Sequence, residues 1–303
     1  MPTTSSDITN HQHKINDETF LDERMHAAGG GSRRCGRTQA GPYELTPIQD
    51  TAKTMSIRLF PTLPEAEFIR LAGGREAAAS INTFLLRGDG KTILVDTGNG
   101  GSVGKTAARL RELGVAPEQV DAVLLTHMHG DHIGGLIDAN GRAVFPKAEI
   151  FVSAPERAFW EKEPGSGGDL ARRVLAAYGE RVKELRDGQQ PMPGIRALAA
   201  PGHTPGHTVL EVGDLYLVAD LVHAVSVQVP HPEVCATYDM DPRQAVATRV
   251  RVLDLASAPG KRVAGAHLPF PGVGRITKDA KGYAYTPESV PSEPSAKPAP
   301  AKD

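Results

Sequence analysis

The sequence predicts an α/β fold in which sheets are covered by helices. Three observations carry that prediction. Apolar runs of strand length alternate with stretches whose apolar residues recur at helical spacing. Glycine and proline, 32 and 24 of 303 residues, punctuate the joints between them. Hydrophobic residues make up 40% and charged residues 23%, the profile of a globular chain with a sizeable core.

In chain order, residues 1–40 read as a disordered arm. They are polar, carry Gly29-Gly30-Gly31-Ser32 and lack apolar periodicity. His11, His13 and His26 in this arm read as solvated surface residues. Residues 43–49 alternate as a strand. Residues 81–87 and 92–95 flank Gly88-Asp89-Gly90, a hairpin signal. Residues 105–113 have helical period and stop at Gly114. Residues 120–126 and 148–152 read as buried strands, 155–163 and 169–185 as helices. Residues 194–199, 208–212 and 215–219 read as strands, the last two joined across Gly213-Asp214. A helix is predicted over 241–256, with Asp241 as N-cap, Pro242 at the first position and Gln244 at the third. Residues 263–264 and 273–276 close the set. Residues 289–303, rich in Pro, Ala, Lys and Ser, read as a solvated tail, which leaves 41–288 as the folded domain.

Charge and cysteine content narrow the function. The net charge is −2, with 34 basic and 36 acidic residues, so a dedicated polyanion binder is excluded. No run approaches the roughly 18 apolar residues of a transmembrane helix. The N-terminus lacks the basic-then-apolar pattern of a secretory signal. Two cysteines, Cys35 and Cys235, are too few for a disulfide framework or a thiolate zinc cluster. A cytoplasmic protein is the expectation.

The segment that carries chemistry is His127-Met128-His129-Gly130-Asp131-His132. Imidazole and carboxylate are the donors that zinc and similar divalent ions prefer. His127, His129 and Asp131 alternate, so an extended backbone leaving a strand points all three one way. His132 follows where the chain can turn into a helix and face a second ion, and Gly130 permits the tight turn. Two ions need more donors than these, and the chain supplies candidates downstream. Gly202-His203-Thr204-Pro205-Gly206-His207 forms a Gly/Pro turn after an apolar run. Asp220 ends the apolar strand 215–219, where a carboxylate is costly unless it meets a cation. His267 follows the strand-like 263–266. His207 reads as a turn residue, His231 as a loop residue, and His223 as a core residue or one that reaches the ligands from outside.

These segments resemble the metallo-β-lactamase superfamily, and within it the methyl parathion hydrolase-like branch with its lactone-hydrolysing relatives. The resemblance covers about residues 43–286. It rests on THMHGDHIGGL (126–136), GHTPGHT (202–208), ADLVHAVSVQ (219–228), AGAHLPFPGVGRI (264–276) and Lys281-Gly282-Tyr283. Gly130 stands where that branch often has Pro. The resemblance implies an αββα sandwich, two mixed sheets flanked by helices, with the ions at one edge. It implies His127, His129 and His203 on a first ion, Asp131, His132 and His267 on a second, and Asp220 bridging both. Asp131 and Asp220 would then serve catalysis, and Asp96 would orient the His-rich loop. A hydroxide between two divalent ions, zinc in the first place with Mn, Fe or Co as alternatives, would attack a lactone, an aryl ester or an organophosphate triester. Trp160 either borders the pocket, as an aromatic does at this position in that branch, or packs a helix against the sheet with Phe159; Leu268 and Phe270 are the other candidates for an apolar wall. With no Arg or Lys cluster near the histidines, such a wall predicts a neutral or weakly charged substrate.

The rival readings are a glyoxalase II-type thioesterase and a non-catalytic binding or sensing module on the same fold. The expected partner is a small molecule, with no nucleic acid or membrane, and a homodimer is compatible with the sequence. Residues 98–106 (GNGGSVGKT) approach a phosphate-binding loop, but Asn99 stands where that pattern needs its first glycine, so a strand-to-helix turn is the reading. Cys235 has no base beside it and reads as a small loop or buried residue.

Overall fold

The computed structural model describes residues 36–290. Its first sheet follows the chain: β1 (Thr38–Ala40), β2 (Tyr43–Ser56), β3 (Glu76–Gly88), β4 (Lys91–Val95), β5 (Ala122–Leu124), β6 (Glu149–Ser153) and β7 (Val182–Leu185). Pairing is antiparallel from β1 to β4 and parallel from β4 to β7. The second sheet contains β8 (Ile195–Ala199), β9 (Thr208–Val212), β10 (Leu215–Leu217), β11 (Arg262–Ala264), β12 (Val273–Asp279) and β13 (Gly282–Pro287). Only β10 and β11 run parallel there. The helices are α1 (Glu65–Ala72), α2 (Thr106–Glu112), α3 (Gly130–Ile133), α4 (Ala154–Trp160), α5 (Ser166–Tyr178), α6 (Val225–Gln228) and α7 (Pro242–Ala256).

The period of two in the strands builds the layers. Phe84, Leu86, Ile93 and Val95 face the second sheet and meet Leu210, Val212, Leu215 and Leu217. Their neighbours Leu85 and Leu94 point the other way, onto Leu110 of α2 and Ala171, Val174 and Tyr178 of α5. On the outer face of the second sheet, Val209, Tyr216 and Val263 pack on Val252, Leu253 and Ala256 of α7. Two mixed sheets flanked by helices result, as the sequence predicts. The hairpin between β3 and β4 turns on Asp89 (φ 49°) and Gly90 (φ 68°), both left-handed as a tight two-residue loop requires. Asp241 caps α7 by accepting from the Gln244 N–H at 3.0 Å.

Several elements differ from expectation. The helix predicted over 169–185 ends at Tyr178. Gly179 at φ 51° breaks it, and 182–185 become β7, because a stretch as short as VKEL fits either period. Strand β2 runs on to Ser56, with a bulge between Gln49 and Thr51. Helix α1 and strand β13 were not expected from the pattern. Residues 38–40, assigned to the arm, pair with β2. His11, His13, His26 and Cys35 lie outside the described residues, as do 291–303.

One end of the sandwich gathers the chemistry. Chain leaving β4, β5, β10 and β11, together with the β8–β9 loop, meets there. Backbone bonds tie the two sheets at this end, Thr208 N–H to Thr126 O at 2.8 Å and Asn82 N–H to Ala266 O at 2.8 Å.

Candidate metal centre

His127 and His129 leave β5 on extended backbone, and Asp131 and His132 enter the short helix α3. Asp220 follows Ala219, which is held at φ 47°. A left-handed alanine costs energy, so the surroundings must impose this turn. The fold brings four overlapping donor groups together, the donor atoms of each within 4.8 Å of one another. Two of them join His223 to His203 and Asp239 and to Asp220 and His267; the two that hold the expected ligands are His127, His129, His203 and Asp220, and beside them Asp131, His132 and His267. All seven residues named from the sequence as ligands stand in these two groups.

The donor atoms crowd within hydrogen-bond distance of one another. The Nδ1 of His129 lies 3.0 Å from the Nε2 of His127 and 2.9 Å from the Nε2 of His203. Asp220 reaches across, with its Oδ2 3.0 Å from the Nε2 of His267 and its Oδ1 3.1 Å from the Nε2 of His132. That last pair lacks hydrogen-bond geometry, and both of its atoms are buried without a partner. Orphaned buried donors and acceptors are expensive. Divalent cations would satisfy these lone pairs together, and imidazole with carboxylate is the donor set such ions take. The residues present therefore fit two divalent ions.

The opposite nitrogen of most rings is fixed from behind, which sets the tautomer and aims the free nitrogen inward. The Nδ1 of His132 is 2.8 Å from Asp96, whose carboxylate also accepts from the N–H and hydroxyl of Thr126. Asp96, at φ 56°, thus contacts the His-rich loop at both Thr126 and His132. The Nδ1 of His267 donates to Ser80 O, and the Nδ1 of His203 meets Asp239 at 3.1 Å. Arg249 holds the other oxygen of Asp239 at 2.9 Å. Burial holds His127 far below the usual imidazole range and lowers His129 and His203 to about 4, so these three are neutral, the form that ligates. Burial also opposes charge on His132 and His267, but Asp220 beside them prevails and raises both.

The sequence reading missed Glu156, Asp239, Asp50 and Lys53. Glu156, at the start of α4, is buried and accepts from Met128 N–H (2.9 Å), Trp160 Nε1 (2.6 Å), Thr204 Oγ1 (2.7 Å) and Gly206 N–H (2.9 Å). It therefore braces the backbone between His127 and His129 against the loop that carries His203. No local pattern marks these residues, because each meets partners distant in sequence. Asp50, at the β2 bulge, accepts from the N–H groups of Asn99, Lys105 and Thr106. The loop that approaches a phosphate-binding pattern is thus already occupied by an internal carboxylate.

The remaining candidates fall as follows. His207 stays outside the two donor groups. Its Nδ1 donates to Ala200 O, its Nε2 accepts from the Asp220 N–H, and burial lowers it to about 3. His231 sits at the surface near Glu67 and Glu233. Cys235 donates to Pro242 O. His223 is buried in the centre, stacked on His267 at 5.2 Å, with its Nε2 3.4 Å from Asp220 and neither ring nitrogen hydrogen-bonded.

A cleft of about 310 Å³ opens over the donors, and its wall adds Lys53, Asn99, His223 and Tyr238. Trp160 and Leu268 do not line it. Both are buried, Trp160 between Glu156 and the edge of His129, and Leu268 in the core under α7. Phe270 is likewise absent from the lining. None of the three residues expected as apolar wall lines the cleft, whose lining instead includes a lysine.

Comparison with known proteins places the chain among relatives. The family described as the metallo-beta-lactamase superfamily matches residues 78–267. The crystal structure of the hydrolase AbOPH of the beta-lactamase superfamily superposes with a TM-score of 0.78 at 30% identity, covering 86% of this chain and 99% of that one. AidC, a dizinc quorum-quenching lactonase solved with the product N-hexanoyl-L-homoserine, gives 0.79 at 27% identity, covering 85% and 99%. Hydroxyacylglutathione hydrolase of Xanthomonas euvesicatoria is 35% identical over 133 residues, 44% of this chain and 42% of that protein. The chain spans less than half the length of that relative. Among the described residues no helix is long and apolar enough to cross a membrane.

Proposed function

The chain belongs to the metallo-beta-lactamase superfamily, and from that premise we propose that it is a dinuclear metal-dependent hydrolase of a small ester-like substrate, a lactone or aryl ester before a phosphotriester. The observation that carries the reading is the convergence of two donor groups on one cleft. His127, His129 and His203 would hold the first ion and Asp131, His132 and His267 the second, with the Asp220 carboxylate shared between the two groups. Zinc suits this donor set, and the dizinc lactonase AidC supports it. Bound there, two such ions polarise a carbonyl or phosphoryl oxygen and supply hydroxide near neutral pH.

The protein's own groups do the rest. Asp96, Asp239 and the Ser80 carbonyl keep the rings from turning, so the donors need no reorganisation during reaction. Glu156 fixes the spacing of the two loops of the first site. His223 contributes to the cleft lining with neither ring nitrogen hydrogen-bonded, and is the group nearest at hand to exchange a proton with a departing oxygen. The thioesterase reading is kept as the second one because of the Xanthomonas relative.

The test is elemental analysis of the purified protein with kcat/KM for an acyl-homoserine lactone, a δ-lactone, 4-nitrophenyl acetate, paraoxon, a β-lactam and S-lactoylglutathione. Close to two ions per chain and a lactone or aryl ester as best substrate are expected. A tenfold preference for S-lactoylglutathione or the β-lactam overturns the substrate class, and a protein that binds no metal overturns the chemistry.

A further inference from the structure

The wall of the cleft carries information about the substrate beyond the ester bond, given the hydrolase reading above. Lys53 rises from β2 with its side chain about one-third exposed (34%), and its ammonium lies 4.0 Å from the Oδ2 of Asp131. That is an ion-pair distance, too long for a direct N–H···O bond. The ammonium also stands 6.0 Å from the centre of the Tyr238 ring. Among the residues lining the cleft, Lys53 is the only lysine or arginine. Arg249, the cation buried behind the centre, is fully engaged by Asp239 and the carbonyls of Leu221, Pro232 and Val234. Asp131 belongs to the proposed second site, and a carboxylate that shares its charge with a divalent ion no longer balances a neighbouring ammonium. Tyr238 offers a ring face and no counter-charge. The charge of Lys53 is then directed at whatever enters the cleft.

The geometry points to Lys53 as a specificity-determining residue that selects esters or lactones carrying a carboxylate on a substituent beside the scissile bond. A unit charge held roughly 6 Å from the ammonium, at an effective dielectric of about 20, is favoured about a hundredfold before salt screening, so at least about tenfold remains in ordinary buffer. Such an interaction is present in the ground state and the transition state alike, so it shows chiefly in KM.

The experiment uses the zinc-loaded full chain with matched substrates: mono-4-nitrophenyl glutarate, its neutral counterpart 4-nitrophenyl valerate, and bis(4-nitrophenyl) phosphate, whose charge sits at the reacting centre. Wild type prefers the glutarate ester by tenfold or more. Lys53→Met lowers the glutarate-to-valerate ratio of kcat/KM at least tenfold through KM, and Lys53→Arg restores most of it. Calorimetric binding of glutarate asks the same question without turnover, and there too Lys53→Met weakens binding and Lys53→Arg recovers it. Turnover of neither ester, with Lys53-dependent glutarate binding intact, removes the hydrolase reading and leaves the anion site standing. An unchanged ratio in Lys53→Met, a wild-type preference for the valerate, or an equal loss on bis(4-nitrophenyl) phosphate overturns the inference.

Discussion

Replacing Glu156 should loosen the first ion more than the second. The carboxylate serves four donors, and two of them, the N–H groups of Met128 and Gly206, are backbone and cannot turn elsewhere. A buried donor left unpaired costs about 1–3 kcal/mol, so Glu156→Ala, which strands three donors once the Thr204 hydroxyl has found another partner, is expected to cost at least about 3 kcal/mol. At roughly 2–4 °C per kcal/mol for a chain of this size, melting falls by about 10 °C or more. Glu156→Gln keeps the volume and one acceptor and loses about half as much. Because Met128 lies between His127 and His129, and Thr204 follows His203, the slack reaches the first donor group directly. Loss of such an outer partner typically weakens metal affinity about 10- to 100-fold. Asp131, His132 and His267 receive nothing from Glu156, so the second ion should hold. The assay is a chelator-competition titration at 10 °C, well below melting, with the Gln variant as control for stability. Two ions retained at wild-type affinity in Glu156→Ala, with only the melting temperature lowered, would reduce Glu156 to a brace of the fold and refute the argument.

Other outcomes can be checked more briefly. Asp220→Asn keeps volume but removes the charge that spans both donor groups, and kcat should fall on the order of 10² or more, read by steady-state kinetics on the best ester. His203→Ala should lower metal content, while His207→Ala should leave it at wild type, since His207 only supports the Asp220 backbone; elemental analysis of the two proteins decides. Burial opposes ionisation of Asp50, but the N–H groups of Asn99 and Thr106 outweigh it and lower its pKa. Its folded value thus lies below its unfolded one near 3.9, so its contribution is present above that pH and lost as pH falls through the folded value. Denaturant melts of Asp50→Asn between pH 6 and 3 should show a flatter acid limb than wild type, and parallel limbs would count against the assignment. Gly202→Ala should fail to fold, because its Cβ would come within 2.3 Å of the Ala245 backbone at φ 134°, and soluble expression with a native melt would disprove that contact.

The legible parts of this protein were those that local pattern encodes. Alternating residues such as Phe84, Leu85 and Leu86 give the layers, because one period decides which face each side chain meets. His127 to His132 announce their chemistry because the donors sit within one turn of chain. His203, Asp220 and His267 were found by asking what the first donors still lacked. The brace and the wall stayed hidden. Glu156 looks like any helix-start acid until the loop with Gly206 folds over it, and Lys53 is one of many surface-pattern lysines until β2 carries it to the cleft. Trp160 illustrates the converse: a large aromatic beside the site reads as pocket wall, whereas its indole N–H is committed to Glu156. The short VKEL stretch of β7 failed for a different reason, since four residues do not distinguish the two periods.

The donors come from both sheets: His127 and His132 follow β5 in the first, Asp220 and His267 follow β10 and β11 in the second. Ions held between them would act as cross-links between the sheets at this end, closer to rivets than to guests. Their binding energy is then also cohesion energy, growing as the logarithm of free metal over the dissociation constant. Loaded protein should part its two sheets only by releasing metal, so its unfolding becomes a single event whose midpoint follows metal activity. Stripped protein would lose these rivets, and this end of the sandwich is then expected to loosen. On the hydrolase reading proposed above, activity and cohesion at this end of the sandwich would depend on the same ions.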